Sequence, residues 1–340
     1  MLLDRLPNPE STPSIIQISL LVFMTLATGS LRADDGAASI AAGGVVIMAR
    51  EPRLVMSKEV LEISLSKVIV DYDFRNDSAQ SITTEVAFPI PDYDLSMESA
   101  SPNQQGFSDF RLFVNGARAR YRVQSRAYVK SRDYTSMLAA MHVDVASFGH
   151  ASSNGNSPDL QRLTPTQAKK LEQAGLVNPH GNAPLWTVRK KYYWRQTFPA
   201  GKIVHVRHEY EPIPGGTNSI RYGMSSHPDP DSAAELKSFC ISGPLRDALQ
   251  RVANSEKESA SYSYVDFILT TANTWKTPIE DFTLVVDRPK QERGKIDYVS
   301  FCWDGPVRKI DADHFSAHVV DFVPTKELRI GFFHVEGGTY

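Results

Sequence analysis

Histidine, aspartate and cysteine are the residues of this 340-residue chain whose types could do chemistry, and their spacing decides what chemistry is open to them. His205 and His208 stand three apart on an alternating stretch, so a strand sends them to opposite faces and they cannot share a metal. His314 and His318 do share a face at four apart, but zinc takes a third protein ligand and Asp321 has the other parity. Asp71, Asp73 and Asp77 lack the Asp-x-Asp-x-Asp-Gly order of a calcium loop and read as the wet side of a strand running into a turn. Asp92-Tyr93-Asp94 and Asp229-Pro230-Asp231 read as loops. Cys302, beside Trp303-Asp304, has no neighbouring base or oxyanion loop and reads as a structural thiol or half-cystine. No nucleophile elbow, phosphate-cradling glycine loop or His-Glu-x-x-His is present. The expectation is therefore no catalytic residue, no cofactor and no metal.

These residues sit on strands, and the stretch that organises them is Leu185–Pro212. Trp186, Val188, Tyr192 and Trp194 share one face of its first run, with Arg189, Lys191 and Arg195 on the other. In the second run Val204, Val206, His208 and Tyr210 face one way, and His205, Arg207, Glu209 and Glu211 face the other. The turn-forming Phe198–Lys202 between the runs predicts an antiparallel hairpin. Its expected register sets Lys191 against Glu209 and Arg189 against Glu211, with Trp194 against Val206 and His208 under Tyr192. The core expected here is Trp186, Tyr192, Trp194, Val206, His208 and Tyr210. Arg189, Lys191, Arg195 and Arg207, though interleaved with aromatics, read as a solvated face neutralised by glutamates rather than as a nucleic-acid site.

More strands flank this stretch. Val68, Val70, Tyr72 and Phe74 alternate with Asp71, Asp73 and Arg75. Ser81 to Phe88 alternates and should stop at Pro89 and Pro91, and Asn115-Gly116 marks a tight hairpin. Arg126 to Ala140 reads as a helix and Ser147 to Asp159 as a loop. A short helix then runs from the capping box at Thr164, Pro165 and Gln167 to Gly175. The proline- and glycine-rich run 212–230 suggests a boundary. A helix over Pro244–Ala253 and strands over 263–271, 282–287, 298–303, 314–322 and 328–334 follow.

Composition narrows the class. The chain is 41% hydrophobic and 22% charged with a net charge of -2, which supplies no overall basic field for nucleic acid. Ile15 to Ala27 is an uncharged run too short to span a bilayer, followed by small residues, and fits the apolar segment of an export signal over 1–33. Its preceding segment departs from the usual basic pattern, with Asp4 and Glu10 against Arg5. No second run approaches membrane length. The two cysteines, Cys240 and Cys302, suggest one disulfide in an oxidising compartment, with two separate buried thiols as the alternative.

Gly43-Gly44, VDYDFRNDS, TEVAFPIPD, KYYWRQTFPAGKIVHVRHEYEP, LTTANTWKTPIEDFTLVVDRP, SFCWDG and DFVPTKELRI resemble, in order, the bacterial family called domain of unknown function 4424. That resemblance covers nearly all of the chain past residue 33 and implies an exported bacterial protein without an established activity. A weaker resemblance, carried by the strand ending in FPIP, the Asn-Gly hairpin and the strand-PAGK-strand, is to vault/inter-α-trypsin β-sandwich modules. It implies a binding or assembly role, without the von Willebrand A-type domain that often follows such modules.

The expected architecture is mainly β, with two antiparallel sandwich-like parts at 34–215 and 216–340 and a helical insertion at about 125–184. The expected function is that of a periplasmic or secreted, non-enzymatic envelope protein that binds a protein or glycan. The alternative is a carbohydrate-active or other hydrolase whose carboxylates meet only on folding.

Overall fold

The structure, a computed structural model, describes residues 36–37, 42–43, 46–47, 53–94, 108–146, 158–178, 184–212, 214–217, 219–255, 258–270, 272, 275, 277–290 and 295–336. The expected leader and most of the loop at 147–159 lie outside them. The first strands are β1 (Gly36–Ala37), β2 (Ala42–Gly43), β3 (Val46–Ile47), β4 (Leu54–Ile63), β5 (Val68–Asn76), β6 (Ile82–Asp94) and β7 (Ser108–Val114). Then come β8 (Ala117–Arg118), β9 (Arg122–Val129), β10 (Arg132–Asp133), β11 (Thr187–Phe198), β12 (Ile203–Glu211) and β13 (Gly215–Thr217). The last are β14 (Ser259–Ile268), β15 (Ile279–Asp287), β16 (Lys295–Phe301), β17 (Arg308–Lys309), β18 (His314–Phe322) and β19 (Leu328–Glu336).

They make three sheets. An eight-stranded sheet runs β17-β18-β15-β4-β5-β12-β7-β8, a five-stranded sheet runs β10-β9-β11-β6-β3, and a six-stranded sheet runs β1-β13-β14-β19-β16 with β2 beside β14. The fold is mainly β, as expected. The eight-stranded sheet takes strands from both sides of residue 215, with β15 parallel to β4, so the two expected parts are joined through a shared sheet.

The alternation that the sequence shows is the alternation that is buried. In β5, Val68, Val70, Tyr72 and Phe74 are inside, and Asp71 and Asp73 point outward. One large core gathers these with Tyr192, Trp194 and Phe198 of β11, Val204, Val206 and Tyr210 of β12, and Val265, Phe267, Ile330 and Phe332 of the six-stranded sheet. Burying a side chain of this size stabilises the fold by roughly 1.5–3 kcal/mol each before entropy is counted.

The predicted hairpin at 185–212 does not form. β11 pairs with β6 and β9, whereas β12 pairs with β5 and β7 in the other sheet. Trp194 therefore lies opposite Val86, and Val206 opposite Tyr72. Lys191 bonds Glu85 at 3.1 Å, and Glu209 takes Lys67 at 2.6 Å and Arg111 at 3.3 Å. His208 packs on Phe88, ring centroids 4.5 Å apart, rather than under Tyr192. Where the strands part stands Asn76, fully buried at the end of β5. Its side-chain amide donates to the carbonyls of Phe198 (2.8 Å) and Gln80 (2.9 Å). Its backbone N–H donates to Lys202 O, and its carbonyl accepts from the Gly201 N–H. The β5–β6 and β11–β12 connections are thus tied together, and both carry the chain from one sheet to the other.

Three more expectations change. Arg126–Ala140 is helical only over α1 (Thr135–Ala140), because Arg122–Val129 pairs with β11. Pro89 and Pro91 do not end β6: Pro89 stays in register opposite Lys191, and the strand continues to Asp94 past an irregularity that begins after Ile90. Asp92-Tyr93-Asp94 is accordingly strand. The helix at Thr164 forms as α3 (Pro165–Gln173), after a short α2 (Pro158–Gln161), with both capping-box bonds present. These helices, with Leu138, Val143, Val145, Leu160, Leu171 and Leu176, cover Trp186, Val188 and Ala127, and the Trp186 indole donates to Val145 O at 2.7 Å.

On the outer face of the six-stranded sheet lie α4 (Arg221–Met224), α5 (Pro230–Lys237) and α6 (Gly243–Ala253), burying Leu236, Phe239, Leu245 and Leu249 against Tyr262, Tyr264 and Phe333. The 212–230 run opens this helical cover. Asp229 caps α5 through the Ser232 N–H at 2.8 Å. Gly331 has to be glycine, since a Cβ would come within 2.8 Å of the Phe239 ring. Cys240 and Cys302 form a disulfide that holds the end of β16 to the segment between α5 and α6.

Candidate binding site on the open sheet face

The outward residues of the eight-stranded sheet form the site. Alternation on β5, β12 and β7 puts Asp71, Arg207 and Phe113 side by side in one row, and Ile69, Glu209 and Arg111 in the next. The Asn115-Gly116 turn, both residues at positive φ, brings the β7–β8 tip over this surface. Its Asn115 side chain accepts from the His205 N–H at 3.0 Å, and its N–H donates to His205 O at 2.9 Å. The result is a groove of about 340 Å³ lined by Asp71, Phe113, Gly116, His205, Arg207 and Glu209.

Its charges are matched. Arg207 donates to Asp71 at 2.7 Å, and the His205 ring meets Asp73. The Lys67 ammonium is the main reason the Glu209 carboxyl is held below the usual carboxylate range. Glu62 on β4 lies diagonal to Asp71 and Asp287 on the same face. Partial burial, then the charge of Asp287, raises its carboxyl. This is an array of fixed donors and acceptors around one half-buried aromatic ring, suited to holding a polar ligand by hydrogen bonds.

The other singled-out residues are scattered. His314 pairs with Asp311 and His318 with Asp281 at 2.9 Å, each an exposed pair at the far side of the sheet. Among the described residues no group of three or more His, Cys, Asp or Glu could hold a metal ion. Cys302 is consumed in the disulfide. Trp186, Tyr192, Trp194, Val206, His208 and Tyr210 are all buried. His208 has no hydrogen-bond partner for either ring nitrogen among the described residues, and burial pulls its pKa down to about 3. Sequence reasoning passed over Glu59, which is 2% exposed and whose pKa burial pushes up to about 8. Its signal was its phase, the same as that of Leu61 and Ile63. It passed over the groove too, because the groove needs β7 and β5 on either side of β12.

The fold and site define a three-sheet β protein with helices packed on the five- and six-stranded sheets and charged outward faces on the five- and eight-stranded ones. The chain belongs to the family described as "Domain of unknown function (DUF4424)", whose model matches residues 33–330. Among solved structures it is similar to a candidate nutrient binding protein of Legionella pneumophila, with 13% identity over 88% of this chain and 72% of that one and a TM-score of 0.45. It is also similar to an M1 zinc metallopeptidase of Deinococcus radiodurans, with 11% identity, 82% and 42% coverage and a TM-score of 0.25. This chain spans less than half of that metallopeptidase. No curated protein matches it by sequence.

Proposed function

We propose that this is an exported bacterial envelope protein that binds a protein or glycan ligand in the groove around Arg207 and does not transform it. The observation that carries the reading is the internal pairing of the groove, where Asp71, Asp73 and Glu209 each already meet a basic side chain. Carboxylates held in this way keep lone pairs for a ligand's hydroxyl or amide groups. The disulfide supports an oxidising compartment. No helix among the described residues is long and apolar enough to cross a membrane. The resemblance of 34–215 to vault/inter-α-trypsin modules, and export by a leader over 1–33, belong to the same proposal.

The hydrolase reading has one observation of its own. Glu62, its carboxyl raised by partial burial, stands diagonal to Asp71 on the open face, and a carboxyl kept protonated beside a second one is the general-acid half of such a site. They share one flat sheet face instead of facing each other across a cleft, which favours binding.

A photo-crosslinking residue at Phe113 tests the choice. Illuminated in intact cells, it should join one partner recovered with the envelope, and Arg207→Ala should abolish that adduct. Recovery of the chain in the cytosol, or an adduct indifferent to Arg207→Ala, overturns the reading. Turnover of a glycan that Glu62→Gln removes would establish the hydrolase instead.

A further inference from the structure

The outer face of the five-stranded sheet carries an imbalance of charge that the groove does not explain. Its neighbouring strands β9 and β11 contain Arg122, Arg126, Arg189, Lys190, Lys191 and Arg195 and no acidic residue, in a chain whose net charge is -2. Register puts Arg189, Lys191, Tyr193 and Arg195 of β11 on the face that also shows Arg122, Arg126 and Tyr128 of β9. Among the described side chains, the acidic groups on this face come from the flanks: Glu85 on β6 and Asp133 on β10. Glu85 lies across from Arg195 but bonds Lys191, and Asp133 sits 3.6 Å from Arg126. Arg122 and Arg195 are exposed and have no carboxylate partner among the described residues.

Two of the cations are also held in place. Arg189 lies over the Tyr128 ring at 4.1 Å and Lys191 over the Tyr193 ring at 5.0 Å, contacts that hold long side chains flat and limit the freedom lost on binding. Strand geometry spaces such groups about 6.6 Å along a strand and about 4.8 Å across strands.

We infer that this face binds a linear polysaccharide bearing carboxylate groups. Cations spaced regularly by the strands complement anions repeated along an extended chain. A single-stranded nucleic acid is disfavoured because it stacks its bases on open aromatic faces, and cations already cover both tyrosines. A lipid surface is disfavoured because the face projects mainly arginine, lysine, glutamine and threonine, and its two tyrosines lie under cations rather than free to insert. The surface lies on a different sheet from the groove, so ligand capture by either can fail without the other.

The test uses the purified chain with oligogalacturonate as probe, and neutral dextran, oligothymidylate and phosphatidylglycerol vesicles as comparisons. Oligogalacturonate should bind, weaken steeply as salt rises toward about 0.5 M, and outcompete the other three. Replacing Arg122→Ser and Arg195→Ser together should weaken it about tenfold or more, the loss of two charge-assisted contacts. Arg207→Ser in the groove should leave it unchanged. If the double variant melts early, Gln124→Glu, which places an anion amid the patch, should weaken binding in its stead. No binding of oligogalacturonate, equal binding of dextran, preference for vesicles or oligothymidylate, or indifference to these substitutions overturns the assignment.

Discussion

Glu59 and His208 are two ionisable groups sealed in the same hydrophobic core, and burial moves them in opposite directions. Glu59 has a folded pKa near 8 against an ordinary 4.5, so between those values the folded chain holds a proton that the unfolded chain has lost. Stability therefore falls as pH rises above 4.5, by about 1.4 kcal/mol per unit, until the folded carboxyl ionises. His208, near 3 in the fold against an ordinary 6.5, does the reverse. Unfolded imidazole binds a proton below 6.5 that the folded ring refuses, so stability falls as pH drops toward 3. The two slopes cancel between 4.5 and 6.5. The account predicts a plateau there in chemical-denaturation stability, with an alkaline limb removed by Glu59→Gln and an acid limb removed by His208→Phe. Limbs that survive both substitutions would show that other groups govern the pH response.

At the scale of elements, parity was legible in the sequence and partnership was not. Alternation in β5, β11 and β12 identified the inward residues, because an apolar core on one side and water on the other leave a period of two. The same pattern fits any neighbour. Lys191 and Glu209 would match in a hairpin, yet each finds an opposite charge elsewhere, in Glu85 and in Lys67. The buried Asn76 bridges the two connections in the observed arrangement, and that role depends on a carbonyl 122 residues away. Asn76→Ala should cost about 2–4 kcal/mol by leaving the Phe198 and Gln80 carbonyls without their donor. Asn76→Asp, which keeps the acceptor but not the amide, should be destabilised as well. A near-neutral result in urea unfolding would remove Asn76 as the tie between the two connections.

The insertion illustrates the same limit. Its capped helix was readable from Thr164, Pro165 and Gln167 because the signal is local. That its apolar groups turn inward was not, since Leu138, Leu160 and Leu171 bury only against Trp186 and Val188 of a strand further on. Recognition is accordingly placed on sheet faces in place of these helices.

For the whole molecule, both proposed surfaces depend on one arrangement. If β11 and β12 paired as a hairpin, Glu209 and Glu211 would neutralise Lys191 and Arg189, and β12 would leave the groove. With the strands in facing sheets, the cations of β11 remain in excess on one outer face and Arg207 stands over Asp71 on the other. Backbone nuclear Overhauser contacts in the isotope-labelled chain measure this directly. The account predicts cross-strand contacts between Trp194 and Val86 and between Val206 and Tyr72. Backbone contacts between Trp194 and Val206, or between Lys191 and Glu209, would contradict it.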